Sequence, residues 1–169
     1  MIRDLAKKLS AFSELVDTVI IELEYRRGVF EACAEILKTH SAMALVRVSS
    51  SDAEILVKLI RPRTEIQATV GSRIQSAEKI WRIFTASEVF DFVEAVGDEN
   101  KIHKINPPIV PGLLILETLC AQFPACQSIK LRFKKFITAG EPLSLQRDGN
   151  KFEICSAGVR KILMTFELE

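Results

Sequence analysis

The stretch from His103 to Glu117 reads HKINPPIVPGLLILE, and the fold turns on how it is read. It opens on an imidazole, passes Pro107, Pro108, Pro111 and Gly112, and runs into an apolar segment from Leu113 to Phe123. A helix that is apolar almost all round is buried rather than laid on a surface. Glu117 sits inside that run. A lone carboxylate in apolar surroundings is costly unless it is paired or protonated. An imidazole, a carboxylate and the open N–H groups of a helix start are the parts of a general acid–base site. Cys120, one turn beyond Glu117, reads as inert packing.

Upstream, Ile80 to Phe84 is patterned as a short strand, and Thr85-Ala86-Ser87-Glu88 is a capping box that opens a helix. Val89, Phe90, Phe92, Val93 and Val96 supply its buried face, and Gly97 is a natural C-cap. Asp98, Asn100 and His103 therefore follow a helix end, where loop side chains can point into a cleft. Downstream, Phe123-Pro124 stops the long helix. Ile129, Leu131 and Phe133 alternate with Lys130, Arg132 and Lys134, so one strand face is apolar and the other basic. Leu143 and Leu145, Phe152 to Cys155, and Ile162 to Leu168 continue as strands, with Asp148-Gly149 as a hairpin signal. The expected order is a short strand, a small helix, a long buried helix, then four antiparallel strands.

Two family patterns overlap on this segment. His103, Pro108, Ile109, Pro111, Gly112, Leu114 and Glu117 fall in register with the His-Phe-Pro-x-x-Pro-Ile-Met-Pro-Gly-Val-Leu-x-x-Glu segment of the 3-hydroxyacyl-ACP dehydratases, which this stretch resembles. Gly97 to His103 resembles the Gly-Asp-x-Asn-Pro-Ile-His of the MaoC-like (R)-specific enoyl-CoA hydratases, with Lys101 in place of the proline. Both families are hot-dog-fold thioester enzymes. The resemblance spans about the second half of the chain. It implies an α+β hot-dog fold, an antiparallel sheet wrapped around a long central helix, and a hydro-lyase acting on (3R)-3-hydroxyacyl or trans-2-enoyl thioesters. It implies that His103 abstracts the C2 proton, that Asp98 or Glu117 handles the hydroxyl or water, and that the Gly112 N–H stabilises the enolate oxygen. Asn100 is expected to position the loop. Asp98 is preferred over Glu117 as the partner of His103, because helix, glycine cap and Asp-x-Asn together match the hydratase unit. Lys130, Arg132 and Lys134 are candidate phosphate contacts for CoA or the ACP phosphopantetheine. No cofactor beyond that carrier is implied. The family's habit implies a homodimer or higher homo-oligomer, its sheets joined edge to edge, with a substrate tunnel along the apolar helix. An acyl-CoA thioesterase and a non-catalytic acyl-thioester sensor are the alternatives.

Residues 1–62 read as a small α+β region, 63–78 as a connector and 79–169 as the hot-dog domain. Helical spacing covers residues 2–16, Thr18 to Leu23 is strand-like, Arg27 to His40 reads as a second helix, and Ala42 to Val48 and Ile55 to Ile60 as strands. No acid–base cluster appears before residue 79, so this region is expected to be separable from the chemistry.

Composition narrows the class. A net charge of +1 sets up no field for nucleic acid. No run approaches the roughly 18 apolar residues of a membrane span. The four cysteines form no CxxC, which suits reduced thiols and a cytoplasmic chain. There is no Walker-type glycine loop and no metal-ligand spacing.

Overall fold

A computed structural model describes residues 1–64, 66, 79–148 and 151–168. The chain runs α1 (Ile2–Ser10), a 3-10 turn (Ser13–Leu15), β1 (Val19–Arg27), β2 (Ala34–His40), β3 (Met43–Ser49) and β4 (Ala53–Ile60). It continues with β5 (Ile80–Ile83), α2 (Ala86–Val96), a second 3-10 turn (Lys101–His103), α3 (Gly112–Gln122), β6 (Cys126–Phe133), β7 (Pro142–Asp148), β8 (Lys151–Ser156) and β9 (Val159–Leu168). The strands form a single antiparallel sheet in the order β2-β3-β4-β1-β6-β9-β8-β7-β5. Its second half and α3 match the expected element order. The fold is an α+β hot-dog fold: α3 buries Leu113 to Leu116, Leu119 and Cys120 against the sheet. Among the described residues, no helix is long and apolar enough to cross a membrane.

The joint between the two halves of the sheet is the β1–β6 pair. Leu23 faces Leu131 and Tyr25 faces Ile129, all four fully buried. On the opposite face Glu22 faces Arg132 and Glu24 faces Lys130. Lys130 Nζ lies 3.0 Å from Glu22 and 3.5 Å from Glu24, and Arg132 Nε lies 3.4 Å from Glu22. Opposite charges across a ladder favour this register, each pair by about 0.2–1 kcal/mol. Alternation on both strands thus selects one core face and one salt-bridged face.

One element differs from expectation. The segment from Arg27 to His40, patterned like a helix, is an irregular lead followed by the edge strand β2. A register shift between Ile36 and Lys38 breaks its alternation, which leaves apolar residues at helix-like spacing. The backbone is decided by β3, which supplies the ladder partners from Val48 to Met43. The N-terminal region is therefore one helix and four strands.

Helix α1 sets Ile2, Leu5, Ala6 and Leu9 into the same hydrophobic cluster as α2 and α3. The connector expected over 63–78 lies mostly outside the described residues, as do Gly149 and Asn150 of the expected hairpin turn. The flanking strands β7 and β8 pair from Ser144–Cys155 to Asp148–Lys151.

Candidate active site

Helix α2 delivers the first site residue. Thr85 Oγ1 accepts from the Glu88 N–H at 3.2 Å, and Glu88 Oε2 accepts from the Thr85 N–H at 2.8 Å, closing the capping box. The helix ends at Gly97 in the left-handed region (φ 67°), a conformation a side chain would strain. The Asp98 N–H then donates to Val93 O at 3.0 Å, which places Asp98 just beyond the cap. Asp98 Oδ1 accepts from the Asn100 N–H at 2.9 Å. That leaves Oδ2 directed at His103 Nε2, 3.6 Å away.

His103 sits in the second 3-10 turn and is 7% exposed. Its Nδ1 is 2.7 Å from Ile109 O. A carbonyl oxygen can only accept, so Nδ1 carries the proton and the Nε2 lone pair faces the cavity side. Burial pushes the imidazole below its usual range; the Asp98 carboxylate and the Ile109 carbonyl pull it back only in part. Asn100 closes the loop: its Oδ1 accepts from the Ile102 N–H at 3.3 Å and its Nδ2 donates to Thr18 O at 2.6 Å.

Helix α3 begins at Gly112 behind Pro111, whose carbonyl accepts from the N–H groups of Leu114 and Ile115. The first two helical N–H groups, on Gly112 and Leu113, have no intrahelical acceptor and present the positive end of the helix dipole. A Cβ at Gly112 would meet Phe133 Cζ at 3.0 Å and Ile20 Cδ1 at 3.5 Å. The glycine thus permits close approach of the helix start to β1 and β6 and keeps the amide uncovered.

His103, Asp98, Asn100 and Gly112 all line one cavity of about 100 Å³, whose walls are mainly apolar. Part of that wall comes from the N-terminal region: Ala6 and Leu9 of α1, Phe12, Val16, Ile20 of β1 and Leu59 of β4. The expectation that residues 1–62 stand apart from the site is therefore corrected. The apolar faces of α1 and β1 have no chemistry of their own, and they close a chamber whose polar groups come from residues 98–112.

Glu117 lies elsewhere. Its carboxylate takes a bidentate pair from Arg3, at 2.9 Å to Nε and 3.2 Å to NH2, and is 31% exposed. It does not line the cavity. The burial without a partner that its neighbours suggested is relieved by a cation from α1. Lys130 and Arg132 are engaged by Glu22 and Glu24 on the outer sheet face, and Lys134 is exposed; it is Lys135 that reaches the cavity wall. Burial pushes the Cys120 thiol up to about 11, which fits inert packing.

The segment from Lys135 to Ala139 completes the wall. Val110 N donates to Ile137 O at 2.8 Å and Ala139 N to Pro108 O at 2.9 Å, so this strap holds the loop segment that carries Ile109 O. Beneath it Glu141, 5% exposed, accepts from the Thr138 N–H at 3.1 Å and from Lys161 Nζ at 2.6 Å. Lys161 also donates to Phe136 O at 3.0 Å. Nothing in residues 134–141 taken alone marks that carboxylate as buried and paired, because its cation is 20 residues on, in β9.

Solved structures share this fold. The chain is similar to HtdX from Mycobacterium tuberculosis at 15% identity and a TM-score of 0.65, covering 99% of this chain and 87% of that one. It is similar to a MaoC-like dehydratase from Phytophthora capsici at 14% identity and a TM-score of 0.54, covering 92% and 70%. It is also similar to an acyl-ACP thioesterase from Bacteroides thetaiotaomicron at 9% identity and a TM-score of 0.52, covering 90% and 76%. The architecture is that of hot-dog proteins. No protein-family model matches the sequence, and no curated protein is significantly similar to it in sequence. At these identities the likeness carries the fold, and the chemistry rests on the site.

Proposed function

We propose that the protein is an acyl-thioester hydro-lyase, interconverting (3R)-3-hydroxyacyl and trans-2-enoyl thioesters carried on CoA or an ACP phosphopantetheine. The observation that carries this reading is His103 Nε2 facing Asp98 Oδ2 across 3.6 Å, inside an apolar cavity that also receives the open N-terminus of α3. In this reading the thioester oxygen takes the Gly112 N–H, and charge developing there as C2 loses its proton meets the helix dipole. His103 Nε2 takes the C2 proton. The imidazolium so formed, steadied by the Asp98 carboxylate, delivers that proton to the departing C3 hydroxyl, which leaves as water while the C2–C3 double bond forms and His103 returns to its neutral form. Hydration runs the same steps in reverse. The known neighbours named as a dehydratase and a thioesterase support an enzyme on acyl thioesters.

A thioesterase is the second reading, favoured by the 26% exposure of the Asp98 side chain, which admits water beside a carboxylate. Incubation with crotonyl-CoA separates the two. Loss of enoyl absorbance without free thiol supports the hydro-lyase, and thiol release supports the thioesterase. Binding without either change points to a sensor and overturns both.

A further inference from the structure

Phe92 is 1% exposed and forms part of the cavity wall. The Arg3 guanidinium lies over its ring, 5.7 Å from the centroid. Arg3 is itself held by the bidentate pair with Glu117, and neither Arg3 nor Glu117 lines the cavity. The ring therefore stands between the chamber and a surface ion pair. The reacting groups His103, Asp98 and Gly112 and the Phe92 ring are walls of the same small chamber. The chamber is small, about 100 Å³ beside the roughly 150 Å³ of an apolar cavity that accepts benzene.

We infer that Phe92 is the chain-length stop of the acyl pocket, latched by Arg3 and Glu117, and that the protein selects short-chain acyl thioesters. This rests on the acyl-thioester reading above. A planar cation over an aromatic face restrains the ring from swinging outward, and the carboxylate fork holds the guanidinium in that plane. Each methylene that must be forced into a filled pocket costs about tenfold or more in specificity. Glu117 thus works on substrate choice through Arg3 and the ring, and touches no reacting atom.

The test compares kcat/KM for the C4, C6, C8 and C10 trans-2-enoyl-CoA series in wild type, Phe92→Ala, Phe92→Leu and Arg3→Met. Affinities for butyryl-, octanoyl- and decanoyl-CoA are measured in parallel by calorimetry. Wild type should favour C4 over C8 by at least about tenfold, and both Phe92 variants should raise the C8-to-C4 ratio by about tenfold or more. Arg3→Met should raise it less, because the ring remains and only its restraint is lost. Phe92→Ala can fail to fold; Phe92→Leu retains a buried apolar side chain, and Arg3→Met alters a half-exposed residue. Wild type accepting C10 as well as C4, or folded variants whose ratios do not move, overturns the inference while turnover keeps the hydro-lyase reading. A binding profile that shifts in the variants without enoyl turnover does the reverse. No binding of any thioester sinks both.

Discussion

Asn100 Nδ2 donates to the main-chain oxygen of Thr18 at 2.6 Å, a buried bond between groups 82 positions apart in sequence. The same side chain caps the turn that carries His103, through its Oδ1 and the Ile102 N–H. One amide therefore ties the acid–base loop to the N-terminal region. Asn100→Asp keeps the Oδ1 acceptor and sets an oxygen against the Thr18 carbonyl. Steady-state kinetics with crotonyl-CoA should show kcat lowered by about 10- to 100-fold through misplacement of His103, with KM changed far less. An unaltered kcat in folded protein would remove Asn100 from the positioning of His103.

The same geometry predicts the outcome of truncation. A chain of residues 79–169 loses the Thr18 carbonyl, the α1 and β1 walls of the cavity, and the strand that covers the β6 edge. It should lack turnover and associate through the exposed edge. Full activity from a soluble 79–169 fragment, checked by crotonyl-CoA assay and size-exclusion chromatography, would contradict this.

The two carboxylates should separate cleanly. His103→Ala and Asp98→Asn should each lower kcat/KM by at least about a hundredfold, the low end of an acid–base contribution. Glu117→Gln should lose far less on C4 substrate, since its oxygens face Arg3 rather than the cavity. Circular dichroism confirms the fold of each variant. A Glu117→Gln loss as large as that of Asp98→Asn would return the acid role to Glu117.

His103 should also make stability depend on pH. Its folded pKa is held below the unfolded value of about 6.5, chiefly by burial. Between the two values the unfolded chain binds more protons, so stability rises with pH there. The His103 contribution is fully present above about pH 6.5 and is lost as pH falls toward the folded pKa. Urea unfolding of wild type and His103→Gln at pH 7.5, 6.5 and 5.5 checks this. Wild type should lose stability relative to the variant on acidification, and parallel curves would mean that His103 titrates as an exposed imidazole.

Glu141 and Lys161 form the most deeply set ion pair described, with side chains 3% and 13% exposed at 2.6 Å. Glu141→Gln leaves the Lys161 ammonium without its counter-charge beneath the strap of residues 135–139. Breaking a buried pair in this way costs about 3–5 kcal/mol. Urea unfolding should show a loss of that order, and a change under about 1 kcal/mol would place the pair among exposed bridges.

Local signals carried much of the hot-dog half. The Thr85–Glu88 box, Gly97, Pro111 and the apolar run after Gly112 mark two helices, because caps and stops act within a turn of the residues that cause them. Alternation from Ile129 onward marks the last four strands for the same reason. Asp98, Asn100 and His103 were legible as a cluster, since all three fall within the six residues that follow the Gly97 helix cap. Tertiary structure decided the rest. The segment from Arg27 to His40 reads helical by itself, and its later part becomes strand β2 because β3 supplies its ladder. Glu117 looks like a buried acid until Arg3, 114 residues earlier, arrives over α3. The Thr18 carbonyl has no side-chain signature at all, since any residue at position 18 offers the same oxygen. Which groups share a cavity depends on burial and pairing between distant segments, and those energies are absent from any short window of sequence.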